Sequence, residues 1–160
     1  MGAMPQTSMT TEQYLDWCQH QGSDMRSELH EGEVIMMSPE TNRHGRHKYR
    51  VSRAFDAAIE ASGGSCEVWL DGVGIAIDDN TVREPDMAVQ CTPADPDAVV
   101  IDNPVIVVEV LSPSTIHTDT TIKKDEYFRV PSIHHYLIVD PFNRLIVHHS
   151  REDAGGATSR

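Results

Sequence analysis

The sequence predicts an α/β domain of the α+β type, with a mixed, largely antiparallel β-sheet flanked by helices. Three stretches carry that reading. Pro104 to Pro113 contains the β-branched run Val105-Ile106-Val107-Val108-Glu109-Val110, long enough for one strand and too short for a membrane span. No face of it is polar throughout, as befits a central strand covered on both sides. His44 to Ser62 places His47, Val51, Ala54, Phe55, Ala58 and Ile59 on one helical face. Val73, Ile75 and Ile77 alternate with Gly74 and Ala76, the period of a strand. A chain of 160 residues is most simply one domain around one core. That domain is expected over residues 9–150, with 1–8 a disordered N-terminus and 151–160 a small, polar, disordered tail.

The elements follow in order. Thr10 or Thr11 caps a first helix, with Glu12 and Gln13 in its first turn, Tyr14, Leu15 and Cys18 on one face, and Gly22 as its stop. Glu28 to Met37 reads as a hairpin pivoting at Glu31-Gly32. Ser38 to Asn42 is a loop, and Gly63-Gly64 ends the long helix. Cys66 to Asp78 reads as one long strand, its small residues leaving room for a helix to approach. Asp78-Asp79-Asn80 turns into a short strand over Val82–Val89 that starts near Pro85, since proline has no ladder donor to lose. Thr92 to Asn103 is a loop anchored by Val99-Val100-Ile101. A helix over Asp119–Phe128, capped by Thr121 or Asp119, and strands at His135–Asp140 and Arg144–His149 complete the chain.

Glu109 is the one ionisable residue of the central run. A carboxylate buried without a partner is strongly unfavourable. A metal ion, a lysine or a water-filled site must compensate it, unless it reaches solvent where Ser112-Pro113 ends the strand. Asp86, opening the Val82–Val89 strand, supplies a second carboxylate. If the two strands are neighbours, the carboxylates converge, and like charges that close call for a cation between them. Oxygen ligands with spare coordination positions suit Mg²⁺ or Mn²⁺ better than zinc. Lys123 lies one helical turn before Tyr127 and shares its face. Spacing alone leaves it open whether this lysine is surface charge or is carried to the sheet.

Pro85-Asp86, then Glu109-Val110-Leu111-Ser112-Pro113-Ser114-Thr115, then Asp119-x3-Lys123-x3-Tyr127, then Tyr136-Leu137-Ile138-Val139-Asp140-Pro141 form an ordered series. Upstream stand Glu28-Leu29-x2-Gly32-Glu33-Val34, Met37-Ser38-Pro39 and His44. From about Thr10 to about His149 the chain resembles the Uma-two family, restriction-endonuclease-like proteins of the PD-(D/E)XK nuclease superfamily. The resemblance implies a restriction-endonuclease-like fold and metal-dependent hydrolysis of nucleic acid, DNA above all. It implies that Asp86 and Glu109 bind Mg²⁺ or Mn²⁺ with the backbone carbonyl of Val110. The superfamily's lysine two residues after the glutamate is Leu111 here, so the resemblance implies that Lys123 supplies the ammonium from the following helix. Glu28 matches an upstream acidic position that steadies the lysine or a second metal. His44 matches a position on the active-site side, where it contacts substrate or caps its helix.

The chemistry is consistent with that set. Glu109 and Leu111 point to one face of a strand, so a lysine reaching that face places its ammonium where Leu111 has no polar group. Phosphodiester hydrolysis needs a cation for the developing charge and a group that positions water. Composition opposes the reading: 13 Lys and Arg against 25 Asp and Glu give a net charge of −12, whereas a DNA-coating protein is basic. A basic segment does occur from Arg43 through His44, Arg46, His47, Lys48 and Arg50 to Arg53. It is read either as a phosphate-contacting patch, with Arg43 and Arg46 nearest the site, or as a solvated helix face.

Cys18, Cys66 and Cys91 form no CxxC pair and read as free thiols in a reducing cytoplasm. No run approaches transmembrane length. The pairs His134-His135 and His148-His149 put neighbours on opposite strand faces and make no zinc chelate alone. A homodimer through apolar strands between Tyr136 and Val147 is expected. The alternative function is a binding or assembly module that keeps the nuclease fold without turnover.

Overall fold

The computed structural model describes residues 8–21, 25–113 and 115–152. The predicted stop of the first helix at Gly22, residue Ser114 of the motif series, the first seven residues and 153–160 lie outside them.

Thr10 begins the first helix, α1 (Thr11–His20), with a reciprocal capping box. Its hydroxyl accepts from Gln13 N, and the Gln13 side chain accepts from Thr10 N. The hairpin follows as β1 (Ser27–His30) and β2 (Glu33–Met36), with Glu31 and Gly32 at positive φ in the turn. The long helix α2 (Asn42–Ser62) starts two residues before His44, because the Thr41 hydroxyl accepts from His44 N, and it ends at Gly63 in the left-handed conformation. Its inward face is the predicted one only in part. Val51, Phe55 and Ile59 pack inward, but Ala54 and Ala58 are exposed while Lys48 and Ser52 are buried.

The expected long strand from Cys66 to Asp78 is two strands in different sheets. β3 (Glu67–Leu70) ends at Asp71-Gly72, where Gly72 takes φ +97°, and β4 (Ile75–Asp78) begins beyond it. What approaches Gly74 is no helix but the Val99–Ile101 segment, bridged to it in parallel, with Val100 and Val82 methyls 3.2 Å from where a Cβ would stand. The Val82–Val89 strand likewise splits at Glu84-Pro85-Asp86 into β5 (Thr81–Arg83) and β6 (Met87–Gln90). Proline, lacking an N–H, marks the crossing. The single sheet expected from the sequence is therefore two: an antiparallel β2-β1-β5-β4, and a mixed β3-β6-β7-β8-β9.

The central strand β7 (Pro104–Val110) lies in the middle of the mixed sheet, antiparallel to β6 and parallel to β8 (His135–Asp140). The parallel connection passes through a π-helical turn (Thr118–Ile122) and α3 (Lys123–Arg129), and β9 (Leu145–Ser150) closes the edge. No side chain caps α3 at its N-terminus. Thr120 and Thr121 instead donate back to carbonyls of the preceding turn, at Ile116 and His117.

Alternation along β7 feeds two cores. Val107 and Leu111 join Ile75, Ile77, Tyr127, Tyr136 and Ile138 beneath α3 and β4. Val108 and Val110 join Met87, Val89 and Val139 beneath α2. A third cluster holds α1 on β1 and β5 through Tyr14, Leu29 and Val82, and the Tyr14 hydroxyl donates to Ser27 O at 2.6 Å.

Three readings are corrected here. Cys66 and Cys91 are joined in a disulfide, because the β3–β6 register that pairs Glu67 with Gln90 brings the next two residues face to face; Cys18 is the free cysteine. The thiol argument for a reducing compartment falls with it. Arg151 is anchored, donating to Val130 O and Ile133 O, so the expected tail does not begin there. Tyr136 and Ile138 are core residues, and the exposed apolar surface near the C-terminus is Phe142, Leu145, Ile146 and Val147. Among the described residues no helix is long and apolar enough to cross a membrane.

Leu29 is fully buried between α1 and the smaller sheet. Leu29→Ala should lower unfolding stability by about 2–5 kcal/mol, read as a lower urea midpoint at unchanged slope.

Candidate functional site

The β6–β7 register pairs Met87 with Val108, which sets Asp86 and Glu109 opposite one another at the end of the ladder. Asp86 N donates to Glu109 Oε2 at 3.3 Å, and Val110 N donates to Asp86 Oδ2 at 2.7 Å. Each carboxylate is thus tied to the other's strand. Lys123 opens α3 and reaches the same point, its Nζ 2.8 Å from Glu109 Oε1 and 3.4 Å from Glu28 Oε1. Tyr127, one turn on, donates its hydroxyl to the same Glu109 oxygen at 2.6 Å. Leu111 packs in the core and offers nothing polar.

Glu28 enters from β1 of the other sheet. Arg83 donates to it at 2.9 Å and the backbone N–H of Glu84 at 3.0 Å. Burial pushes the Glu28 carboxyl up, but the Lys123 ammonium, the Arg83 guanidinium and the Glu84 N–H outweigh it and hold the group below its ordinary range. Arg83 is itself buried and forks onto Glu126 at 2.6 and 2.8 Å.

Asp86 is the opposite case. Burial pushes its carboxyl up to about 6, against the pull of Val110 N–H, His44, Lys48 and Lys123. A cation beside it would relieve that penalty. His44 Nε2 lies 3.1 Å from Asp86 Oδ1. Ligand atoms of Glu40, His44 and Asp86 lie within 4.8 Å of one another, the one such group of three among the described residues. Beside it Lys48 bonds Glu40 and, at 2.6 Å, Asp71, and stands 4.0 Å from Asp86 Oδ1. An imidazole with two carboxylates is a donor set that accepts Mn²⁺ more readily than Mg²⁺.

The structure therefore brings Glu28, Asp86, Glu109, the Val110 backbone, Lys123 and His44 to one end of the central strand. It does not bring Arg43 or Arg46 there: both lie on the exposed side of α2, Arg43 with its guanidinium 6.0 Å from the Phe142 ring. Sequence reasoning missed Glu40, Lys48, Asp71, Arg83 and the Tyr127 hydroxyl. Lys48 was findable, since it stands one turn after His44 on the same helical face. Arg83 and Asp71 were hidden by the two undetected sheet crossings.

This architecture, with its carboxylates and lysine at the end of a central strand, belongs to the restriction-endonuclease-like class. Residues 11–160 match the family model Uma2, described as "Putative restriction endonuclease". The chain belongs to the Uma2 family. Among its relatives is an uncharacterized protein of Synechocystis sp., slr1290, 30% identical over 152 residues, covering 93% of this chain and 78% of that one. A second, sll1609 of the same organism, is 24% identical over 147 residues, covering 89% and 81%. The fold is similar to that of a crystal structure described as a putative nuclease belonging to DUF820, from Anabaena variabilis. The TM-score is 0.69 at 15% identity, over 89% of this chain and 79% of the other.

The depressed Glu28 carboxyl has a pH consequence. Its stabilising contribution is fully present above the ordinary value of 4.5 and is lost as pH falls through the lower folded value. Urea unfolding across the acid range should show wild-type stability declining there, and a shallower decline in Glu28→Gln.

Proposed function

We propose that this protein is a divalent-cation-dependent endonuclease that hydrolyses phosphodiester bonds, with DNA the first substrate to test. The observation that carries the reading is the contact of Lys123 Nζ with Glu109 Oε1 at 2.8 Å, directly beside Asp86. It supplies the ammonium that Leu111 lacks, at the carboxylate pair where the family pattern expects it.

Asp86 and Glu109 are the proposed metal-holding carboxylates, with the Val110 carbonyl as backbone ligand and His44 and Glu40 completing the set on the α2 side. Mg²⁺ or Mn²⁺ bound there would lower the pKa of a water and neutralise charge on the scissile phosphate. The protein's own groups do the rest. Lys123 and Tyr127 fix the Glu109 carboxylate, and the ammonium is placed to orient the attacking water or to stabilise charge developing on the phosphate. Glu28, held by Arg83, fixes the lysine from the opposite sheet. Arg43 and Arg46, flanking His44 in sequence, are proposed to meet the substrate's phosphates.

A homodimer formed through the exposed β9 edge, in a cytoplasmic enzyme, belongs to the same reading; dimerisation suits cutting of two strands. One observation favours the non-catalytic alternative. Both Glu109 oxygens already accept hydrogen bonds from the chain, so this carboxylate has polar partners without a metal.

Supercoiled plasmid with Mg²⁺ or Mn²⁺ tests the reading. Wild type should nick or linearise it, and Asp86→Ala, Glu109→Gln and Lys123→Ala should each lose at least about 10²-fold in rate, with near-native circular dichroism. Cutting by Asp86→Ala at the wild-type rate would sink it.

A further inference from the structure

We infer that the outer face of α2 is a track for a nucleic-acid backbone, with Tyr49 as a stacking platform beside it; this rests on the nuclease reading. Arg43, Arg46, Arg50 and Arg53 recur at three- and four-residue spacing, so they form one stripe. All four are exposed, on the side opposite His44 and Lys48. From Thr41 to Phe55 the chain contains no Asp or Glu, in a protein of net charge −12.

What sets the stripe apart is four cations side by side on one helix face, where Lys124 and Arg144, also without an ion pair among the described residues, stand singly. Arg26, Lys48, Arg83, Lys123 and Arg129 are each in an ion pair with a carboxylate. Among the described residues none of the four stripe arginines is. Two of them lie over aromatic rings instead: Arg43 by Phe142, and Arg53 with its guanidinium 5.9 Å from the Tyr49 ring. Tyr49 is 56% exposed, and with Arg46, Arg50 and Arg53 it lines a groove of about 460 Å³. Guanidinium forks recognise phosphate bidentately, and an exposed ring beside arginines is a surface on which an unpaired base stacks. The stripe runs about 15 Å along the helix, the rise of roughly four nucleotides of one strand. On its inner side the same helix carries His44 to Asp86, so one element bears both the stripe and a side chain of the site, on opposite faces. An acidic protein would satisfy the charge but not the ring.

The test measures anisotropy of a fluorescein-labelled DNA, duplex and single-stranded, with wild type, Arg50→Ala/Arg53→Ala and Tyr49→Ala, across a salt series in EDTA. Alanine is the best helix former, and these sites are exposed, so α2 survives. The double variant should bind at least tenfold more weakly, with the slope of log K against log salt smaller by about 2. Tyr49→Ala should weaken single-strand binding roughly tenfold. Plasmid cutting at limiting DNA should slow in step with the lost affinity in both. If wild type cuts while the double variant binds with the same affinity and slope, or while wild type shows no binding, the track is overturned and the nuclease reading stands. If wild type neither binds nor cuts, both fall. If labelled poly-glutamate binds as tightly and depends equally on Arg50 and Arg53, the nucleic-acid occupant is overturned.

Discussion

A carboxylate in the middle of an apolar sheet has to be neutralised, and the contact between Glu109 and Lys123 does so. Glu109 could not stay ionised in the core beneath α3 without a donor, and Lys123, itself buried, could not stay charged without an acceptor. Each constrains a larger element. The end of β7 must lie beside the first turn of α3, and α3 must pack on the sheet with Lys123 and Tyr127 turned toward Glu109. The π-helical turn over Thr118–Ile122 immediately before α3 is the local irregularity at this junction.

Around that pair the charges are sorted by depth. Arg83 serves Glu28 and Glu126, and Lys48 serves Glu40 and Asp71. These contacts join the smaller sheet, α2 and α3 to the mixed sheet. Removing one partner from such a set leaves a buried charge behind, so the set is a constraint on the fold as much as a feature of the site. The Asp86 carboxyl is raised by burial, where those of Glu28 and Glu40 are held down by their partners. That contrast with Glu28 is the electrostatic argument for a cation beside Asp86.

The parts written in local pattern were legible. The capping box at Thr10, the glycine stop at Gly63, the hairpin at Glu31-Gly32 and the central strand follow from short-range chemistry. The convergence of Asp86, Glu109 and Lys123 was legible because an ordered motif series spans strand, loop and helix. What the sequence hid were the points where the chain changes sheets. Gly72 and Pro85 sit inside stretches whose alternation continues across them, so two strands read as one. With those crossings missed, the places of Asp71 and Arg83 were missed, and so was the pairing of Cys66 with Cys91 across neighbouring strands. The inward turn of Lys48 is implied by the helical face it shares with His44, but its partners Glu40 and Asp71 lie outside α2, where periodicity says nothing.

The central claim is that Asp86 anchors a divalent cation at the end of the central strand. Isothermal titration of Mn²⁺ into wild type, Asp86→Asn and His44→Ala tests it most directly, without need of a substrate. The account predicts a wild-type site that is abolished in Asp86→Asn and weakened in His44→Ala, while both proteins keep their fold. Undiminished Mn²⁺ binding by Asp86→Asn would contradict it.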